Sequence, residues 1–170
     1  SIGNDITLNI NKDKSEFITL LGNKINLRGS DLVFTSEENI INLSGVMGGF
    51  ASACNASTKN ALIECAYFKP DSILGKAVKY NLYSDASHKF ERGTDPKCHE
   101  KVLRRFIQIV KDHAEITKIE LYRYNQLEQK NLEIDFNLEK INQILGMNVT
   151  EEAYIKSLTR LGFEVNDTVK

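Results

Sequence analysis

The chain has 170 residues, of which 41% are hydrophobic, and its 22 basic and 23 acidic side chains give a formal net charge of -1. This composition is typical of a globular chain of about one domain and argues against intrinsic disorder. The nearly balanced charge argues against binding of nucleic acid by bulk charge alone, although it is compatible with a local basic surface.

No apolar run approaches the roughly 20 residues that a membrane helix needs, so we expect no membrane partner. We expect no signal peptide, because the chain opens on a polar stretch, and the absence of an initial Met suggests a processed chain or a piece of a longer one. The three cysteines are odd in number and widely spaced, and the histidines fit no metal-binding spacing. These features predict no metal site and a cytoplasmic location.

The first part of the chain predicts short strands. Residues 17–21 are apolar and precede a Gly-Asn turn, and residues 24–27 alternate polar with apolar. A further strand is expected over 40–43, and it runs into the glycine-rich segment 45–49. The most apolar run, residues 61–68, is short enough to favour a buried strand over a helix.

The middle of the chain predicts two helices. Asp71 or Ser72 caps the first, which runs to about Leu82, and the polar stretch 83–93 is expected to be irregular. Pro96 fits the first position of the second helix, which we expect to run to about Ala114. Residues 117–124 then resemble a strand.

Around residue 130 the character of the sequence changes. Residues 132–136 alternate, and two short helices are then expected, capped by Asn137 and Thr150 and closed by Gly146 and Gly162. We therefore predict two parts, residues 1–129 and 130–170. The predicted class is α+β, with a mixed or antiparallel sheet packed with helices, followed by a small, mainly helical partial domain.

Two features allow both a structural and a functional interpretation. The glycines of segment 45–49 permit a ligand to approach the backbone, but they equally fit a tight turn between strands, and no phosphate-binding motif is present. If residues 61–68 form a strand, Glu64 shares a face with Leu62, Ala66 and Phe68. A carboxylate there needs a hydrogen-bond donor, which a ligand hydroxyl or a structural partner could supply.

Two other features are weighed in the same way. Ser84, Asp85 and His88 do not indicate a catalytic triad, because triad members are placed by the fold and no nucleophile elbow is present. Basic side chains on and before the second predicted helix could bind RNA phosphates, or they could simply be its solvated face. The RNA-binding candidates are Arg92, Lys101, Arg104 and Arg105.

Three segments, taken in order, resemble the beta subunit of bacterial phenylalanyl-tRNA synthetase. They are L-S-G-V-M-G-G at 43–49, I-E-C-A-Y-F-K-P at 63–70 and S-D-A-S-H-K-F-E-R-G-T-D-P at 84–96. The later segments 141–146 and 161–165 resemble the next domain of the same subunit. The resemblance implies that residues 1–129 are the C-terminal part of the editing domain, which hydrolyses tyrosine wrongly attached to tRNA(Phe).

The resemblance also implies roles for four residues in an editing pocket. Glu64 would recognise the tyrosine hydroxyl, Gly48 would leave room for the amino acid, and Ala86 would set the pocket size beside Ser84, where the family usually has threonine. The family relies on a positioned water and the tRNA terminus, so no catalytic residue is predicted. Other pocket residues, including a histidine, are expected before Ser1, and the isolated chain is expected to be inactive.

For the parent complex, the resemblance implies ligation of phenylalanine to tRNA(Phe) with ATP and Mg²⁺, although no cofactor is expected in this chain. The implied partners are tRNA(Phe) and an alpha subunit, in a heterotetramer of two alpha and two beta subunits. The alternative is a non-catalytic RNA-binding or subunit-assembly module of the same architecture.

Overall fold

The computed structural model describes residues 5–124 and 131–166 and divides the chain into two compact units, Ser1–Ile119 and Glu120–Lys170. Antiparallel sheets occur together with helices, which confirms the predicted α+β class. The predicted boundary between residues 129 and 130 lies outside the described residues and stays a prediction. Among the described residues, no helix is both long enough and apolar enough to cross a bilayer.

The first unit contains six strands, a 3-10 turn and four helices among its described residues. They are β1 (Ile6–Asn11), β2 (Ser15–Ile18), β3 (Lys24–Leu27), β4 (Asp31–Ser36), β5 (Asn39–Leu43), β6 (Met47–Gly48), the 3-10 turn Phe50–Ser52, α1 (Pro70–Ile73), α2 (Lys76–Tyr80), α3 (Asp85–Phe90) and α4 (His99–Lys111). The second unit contains α5 (Leu138–Leu145) and α6 (Glu151–Arg160).

The strands form two antiparallel sheets. One has the order β1-β4-β5-β6, and the other pairs β2 with β3. The strand predicted over 24–27 is confirmed as β3. The strand predicted over 40–43 is confirmed as β5, which begins one residue earlier, at Asn39. The strand predicted over 17–21 lies earlier, at β2, because the chain turns after Ile18 and Gly22 adopts a φ of 82°.

The core of the first unit includes Phe17, Leu27, Leu43 and Phe68, each at most 4% exposed. The prediction of a buried strand over 61–68 was wrong, because this segment has no regular secondary structure. It pairs with no strand of either sheet, and its Leu62 is exposed. Its end is anchored by packing, since the Phe68 ring lies edge-on against Phe90 at a centroid distance of 5.0 Å.

The helix expected between Asp71 and Leu82 is divided into α1 and α2. Gly75 separates them with a φ of 75°, a left-handed conformation that a continuous helix does not contain. The stretch 83–93 was wrongly expected to be irregular. Ser84 caps α3 there, because the Ser84 and Ser87 side chains bond reciprocally to each other's backbone N–H groups.

The longest helix begins later than the sequence indicates. Pro96 does not start it, since the Asp95 carboxylate accepts from the Lys97 N–H at 2.8 Å and the Asp95 carbonyl from the Cys98 N–H at 3.3 Å. These bonds form a separate turn, and α4 follows from His99. It ends at Lys111 rather than near Ala114.

Asp31 joins β4 to α2 in the interior of the first unit. Its side chain is fully buried and accepts hydrogen bonds from Lys76 Nζ at 2.6 Å, Lys79 Nζ at 3.1 Å, the Arg28 N–H at 3.0 Å and the Tyr80 hydroxyl. Burial acts to raise the pKa of Asp31, but these hydrogen bonds outweigh it and hold the pKa below its ordinary value. Asp31 is therefore a structural anion whose partners come from α2 and from the Arg28 backbone, which precedes β4.

The second unit follows the predicted capping pattern. Asn137 and Thr150 cap α5 and α6 through their side-chain oxygens, and Gly146 and Gly162 follow the helices with positive φ. These predictions are confirmed. The strands expected over 117–124 and 132–136 were wrong, because neither segment has regular secondary structure.

Candidate functional site

The glycine-rich segment is a tight connection between β5 and β6. Gly45 has a φ of 70°, and a Cβ there would lie 2.8 Å from Ile73 Cδ1, so both backbone and packing require glycine. Gly48 differs, because a Cβ there would meet no atom within 4 Å. The segment is thus the turn that one interpretation predicted, and open space adjoins it at Gly48.

Asn42 connects Gly48 to Glu64. Asn42 lies on β5 and is the register partner of Gly48 on β6. Its Nδ2 donates a hydrogen bond to Glu64 Oε2 at 3.2 Å. Gly48 and Glu64, which are 16 positions apart in the sequence, therefore have Asn42 as their common neighbour.

Glu64 does not stand on the apolar strand face that the sequence analysis expected. The residue is exposed and comes from the irregular segment before Phe68. Neighbouring protein atoms nevertheless desolvate its carboxylate in part, and this partial burial raises the pKa of Glu64 to about 7. Glu64 can therefore both accept and donate hydrogen bonds near neutral pH. Burial, Cys98 and the Glu64 charge in turn raise the pKa of the neighbouring Cys65 thiol.

Ser84 lies at the start of α3 and bonds to the same turn. Its hydroxyl donates to the Val46 carbonyl at 2.7 Å and accepts from the Ser87 N–H at 3.1 Å. Both functions of the hydroxyl are thereby used within the fold, which argues against a nucleophilic role for Ser84. Ala86 follows in the first turn of α3 and is exposed. The structure thus connects Gly48, Glu64 and Ser84 through the β5–β6 hairpin and places Ala86 on the adjoining helix.

Two surface clefts of about 450 and 330 Å³ lie elsewhere, one along β1 and β4 and the other beside Tyr80. Glu64 lines neither of them. Within residues 5–124 and 131–166, no group of three or more His, Cys, Asp or Glu side chains is placed to hold a metal ion. The candidate site is therefore an open surface beside the β5–β6 hairpin with one carboxylate.

The basic candidates differ in their surroundings. Arg92 pairs with Glu91 and also donates to the His88 carbonyl at 3.0 Å. Arg104 pairs with Glu100 on α4 at 2.6 Å. Lys101 and Arg105 are exposed on the same helix and lie four residues apart, so they project from neighbouring positions.

Sequence reasoning from the motifs missed Asn42. The available signal was a polar residue between the apolar Ile41 and Leu43, shortly before the glycine-rich segment 45–49. It also missed the Asp31 cluster, because the lysines that pair with Asp31 are 45 and 48 positions away along the chain.

Comparison with known proteins gives concordant matches. The chain is similar to the phenylalanine–tRNA ligase beta subunit of Photorhabdus laumondii, at 33% identity over 167 residues, covering 96% of this chain and 21% of that protein. The beta subunits of Francisella tularensis and Methylococcus capsulatus are 33% and 34% identical over 156 and 155 residues, covering 91% and 89% of this chain and 20% of each protein. The chain spans about a fifth of the length of these relatives. Residues 1–115 match the B3/4 domain, and the chain belongs to that family.

Proposed function

We propose that this chain is part of a phenylalanine–tRNA ligase beta subunit and contributes to a site that hydrolyses Tyr-tRNA(Phe). The observation that carries the proposal is that the Glu64 carboxylate accepts a hydrogen bond from Asn42, the register partner of Gly48, where a Cβ would meet open space. Similarity to beta subunits over 96% of the chain supports the parent assignment.

The chemical need for such a site follows from the similarity of the two amino acids. A pocket shaped for phenylalanine rejects an analogue that only adds a hydroxyl by roughly 100-fold. A second site that requires the hydroxyl can discriminate further, because a buried polar group left without its partner costs about 1–3 kcal/mol. A carboxylate that neighbouring protein atoms partly desolvate, such as Glu64, is suited to bind a phenol.

Each candidate residue has a defined part in this proposal. Glu64 binds the tyrosine hydroxyl, Gly48 leaves space for the side chain, and Ala86 limits the pocket beside Ser84. The Ser84 hydroxyl is engaged within the fold, which supports hydrolysis by a positioned water and the tRNA terminus rather than by a protein nucleophile.

The proposal also extends to the parent complex. Ligation of phenylalanine with ATP and Mg²⁺ belongs to that complex, with an alpha subunit and tRNA(Phe) as partners, and we propose two subunits of each kind acting in the cytoplasm. The exposed Lys101 and Arg105 of α4 favour a second candidate function for this part of the chain, namely binding of tRNA without chemistry.

The test is deacylation by the full-length parent protein of separately prepared Tyr-tRNA(Phe) and Phe-tRNA(Phe). We expect the unmodified protein to prefer the tyrosyl ester and Glu64→Gln to lower the ratio of kcat/KM values by about tenfold or more, since hydrogen bonds to charged groups contribute about 1.5–3 kcal/mol.

Glu16→Gln is the matched control, because Glu16 is also on this unit but is exposed and pairs only at the surface with Lys24 at 3.5 Å. It should leave the ratio unchanged. Equal hydrolysis of the two esters by the unmodified protein would contradict the proposed function.

A further inference from the structure

The two polar atoms of the Asn42 side chain differ in their hydrogen bonding. Nδ2 donates to Glu64 Oε2 at 3.2 Å. Oδ1 is buried and has no hydrogen-bond partner in the part of the chain that the structure describes. Buried polar atoms are nearly always paired in folded proteins, so this end of the Asn42 amide is an exception among the described residues. Neither the sequence motifs nor the names of the relatives give Asn42 a role.

The backbone fixes Asn42 more firmly than Glu64. Asn42 lies within β5, which pairs with β4 on one side and β6 on the other. Glu64 belongs to an irregular segment and has no strand partner. When a group on a paired strand bonds to one on an irregular segment, the strand residue determines where the other group is held.

We propose that Asn42 is a positioning residue for hydroxyl recognition, whose amide holds the Glu64 carboxylate beside the open space at Gly48. The inference rests on the proposed function, because the hydroxyl is that of a tyrosyl ester.

The hydrogen-bonding chemistry of a phenol explains why an amide is suited to the position beside Glu64. A phenol hydroxyl both donates and accepts, whereas an ionised carboxylate only accepts. The Asn42 amide has a second N–H that can complete the pair by donating to the phenol oxygen. A phenylalanyl ester offers no hydrogen bond to either group. Asn42 and Glu64 together therefore weaken its binding more than Glu64 alone would.

The test compares Asn42→Leu, which is similar in size but cannot form hydrogen bonds, with Asn42→Asp, which keeps the shape and removes the donor. Both are made in the full-length parent protein. We expect each to lower the Tyr-to-Phe ratio of kcat/KM by about tenfold, which is the loss of one hydrogen bond to a charged group. If Asn42→Leu does not fold, the aspartate variant decides.

Asn9→Leu is the matched control. Asn9 is a strand asparagine with one exposed side-chain hydrogen bond, to Thr35 Oγ1 at 3.0 Å, on the opposite edge of the same sheet. This variant should keep the ratio of the unmodified protein.

A second readout detects positioning directly. Glu64 is exposed, so a carbodiimide can modify its protonated carboxyl, and peptide mass spectrometry then gives the pH midpoint of labelling. We expect a higher midpoint in both Asn42 variants, because loss of the donor disfavours the ionised form, and no change in Asn9→Leu.

The outcomes separate the two proposals. If the unmodified protein shows no preference for the tyrosyl ester, the proposed function fails and the recognition role of Asn42 fails with it. If the preference is present but stays within twofold in both Asn42 variants, or if the labelling midpoint does not move, only the inference about Asn42 is overturned.

Discussion

At the scale of single residues, Glu64 links the site to the pH dependence of stability. Its pKa is about 7 in the folded protein against 4.5 for an ordinary glutamate. Between these values the folded state binds more protons than the unfolded state. The free energy of unfolding must therefore fall as the pH rises through this window, and the contribution levels off above about pH 7.

This sign leads to a prediction for Glu64→Gln, which is neutral at every pH. We expect the stability of the variant relative to the unmodified protein to increase from pH 4.5 to 7 and then stay constant. Urea denaturation at a series of pH values measures the difference. Parallel stability curves for the two proteins would show that Glu64 ionises normally.

At the scale of secondary-structure elements, Ser84 links α3 to the β5–β6 turn through hydrogen bonds of its hydroxyl. Its hydroxyl caps the helix and donates to the Val46 carbonyl. We expect Ser84→Ala to lower the free energy of unfolding by about 1 kcal/mol, the usual effect of removing a cap, and Ser84→Thr to retain most of it. Chemical denaturation checks both variants.

Ser57→Ala is the control for this experiment, since the Ser57 hydroxyl bonds only to the exposed Asn55. It should change the stability by less than about 0.5 kcal/mol. Equal stability of the Ser84→Ala variant and the unmodified protein would mean that the cap contributes nothing to the fold.

Elements with strong local signals were predictable from the sequence. The alternation at β3, the mainly apolar residues of β5, the Asn137 and Thr150 caps and the following glycines all act within a few residues. Their elements formed as expected. Gly75 was a local signal too, but the apolar spacing across it suggested one continuous helix.

The failures depended on distant or competing contacts. Apolar composition suggested a strand at 61–68, but a strand needs a partner, and composition does not reveal one. Asp95 bonds to the following backbone in a turn of its own, so Pro96 precedes α4 instead of starting it. The Asn42–Glu64 contact joins residues 22 positions apart, which the residue pattern alone does not indicate.

At the scale of the whole molecule, a formal net charge of -1 means that attraction to tRNA must come from local charge. Lys101 and Arg105 provide such charge on α4, whereas Arg104 is already paired with Glu100. Removal of the first two charges tests binding without disturbing that pair.

We expect Lys101→Gln with Arg105→Gln to weaken binding of tRNA(Phe) to the parent protein. If both side chains contact phosphates, the slope of log affinity against log salt should become shallower by about 2. Binding titrations measure the slope. They cover about 50 to 200 mM salt, the range over which affinity from phosphate contacts falls steeply. Lys24→Gln is the control, and an unchanged slope in the double variant would assign this helix face to solvent.

The Asp31 cluster has a consequence for the assembly of the candidate site. Because Asp31 bonds to Lys76 and Lys79, the chain between them is a ring closed by one carboxylate, and Asn42, Gly48 and Glu64 all lie within that ring. Its stabilising effect is retained above pH 3.8 and is lost as acid protonates Asp31. Acid should therefore remove the ion pairs that close this ring, while the Asn42 hydrogen bond to Glu64 and the packing of Phe68 remain.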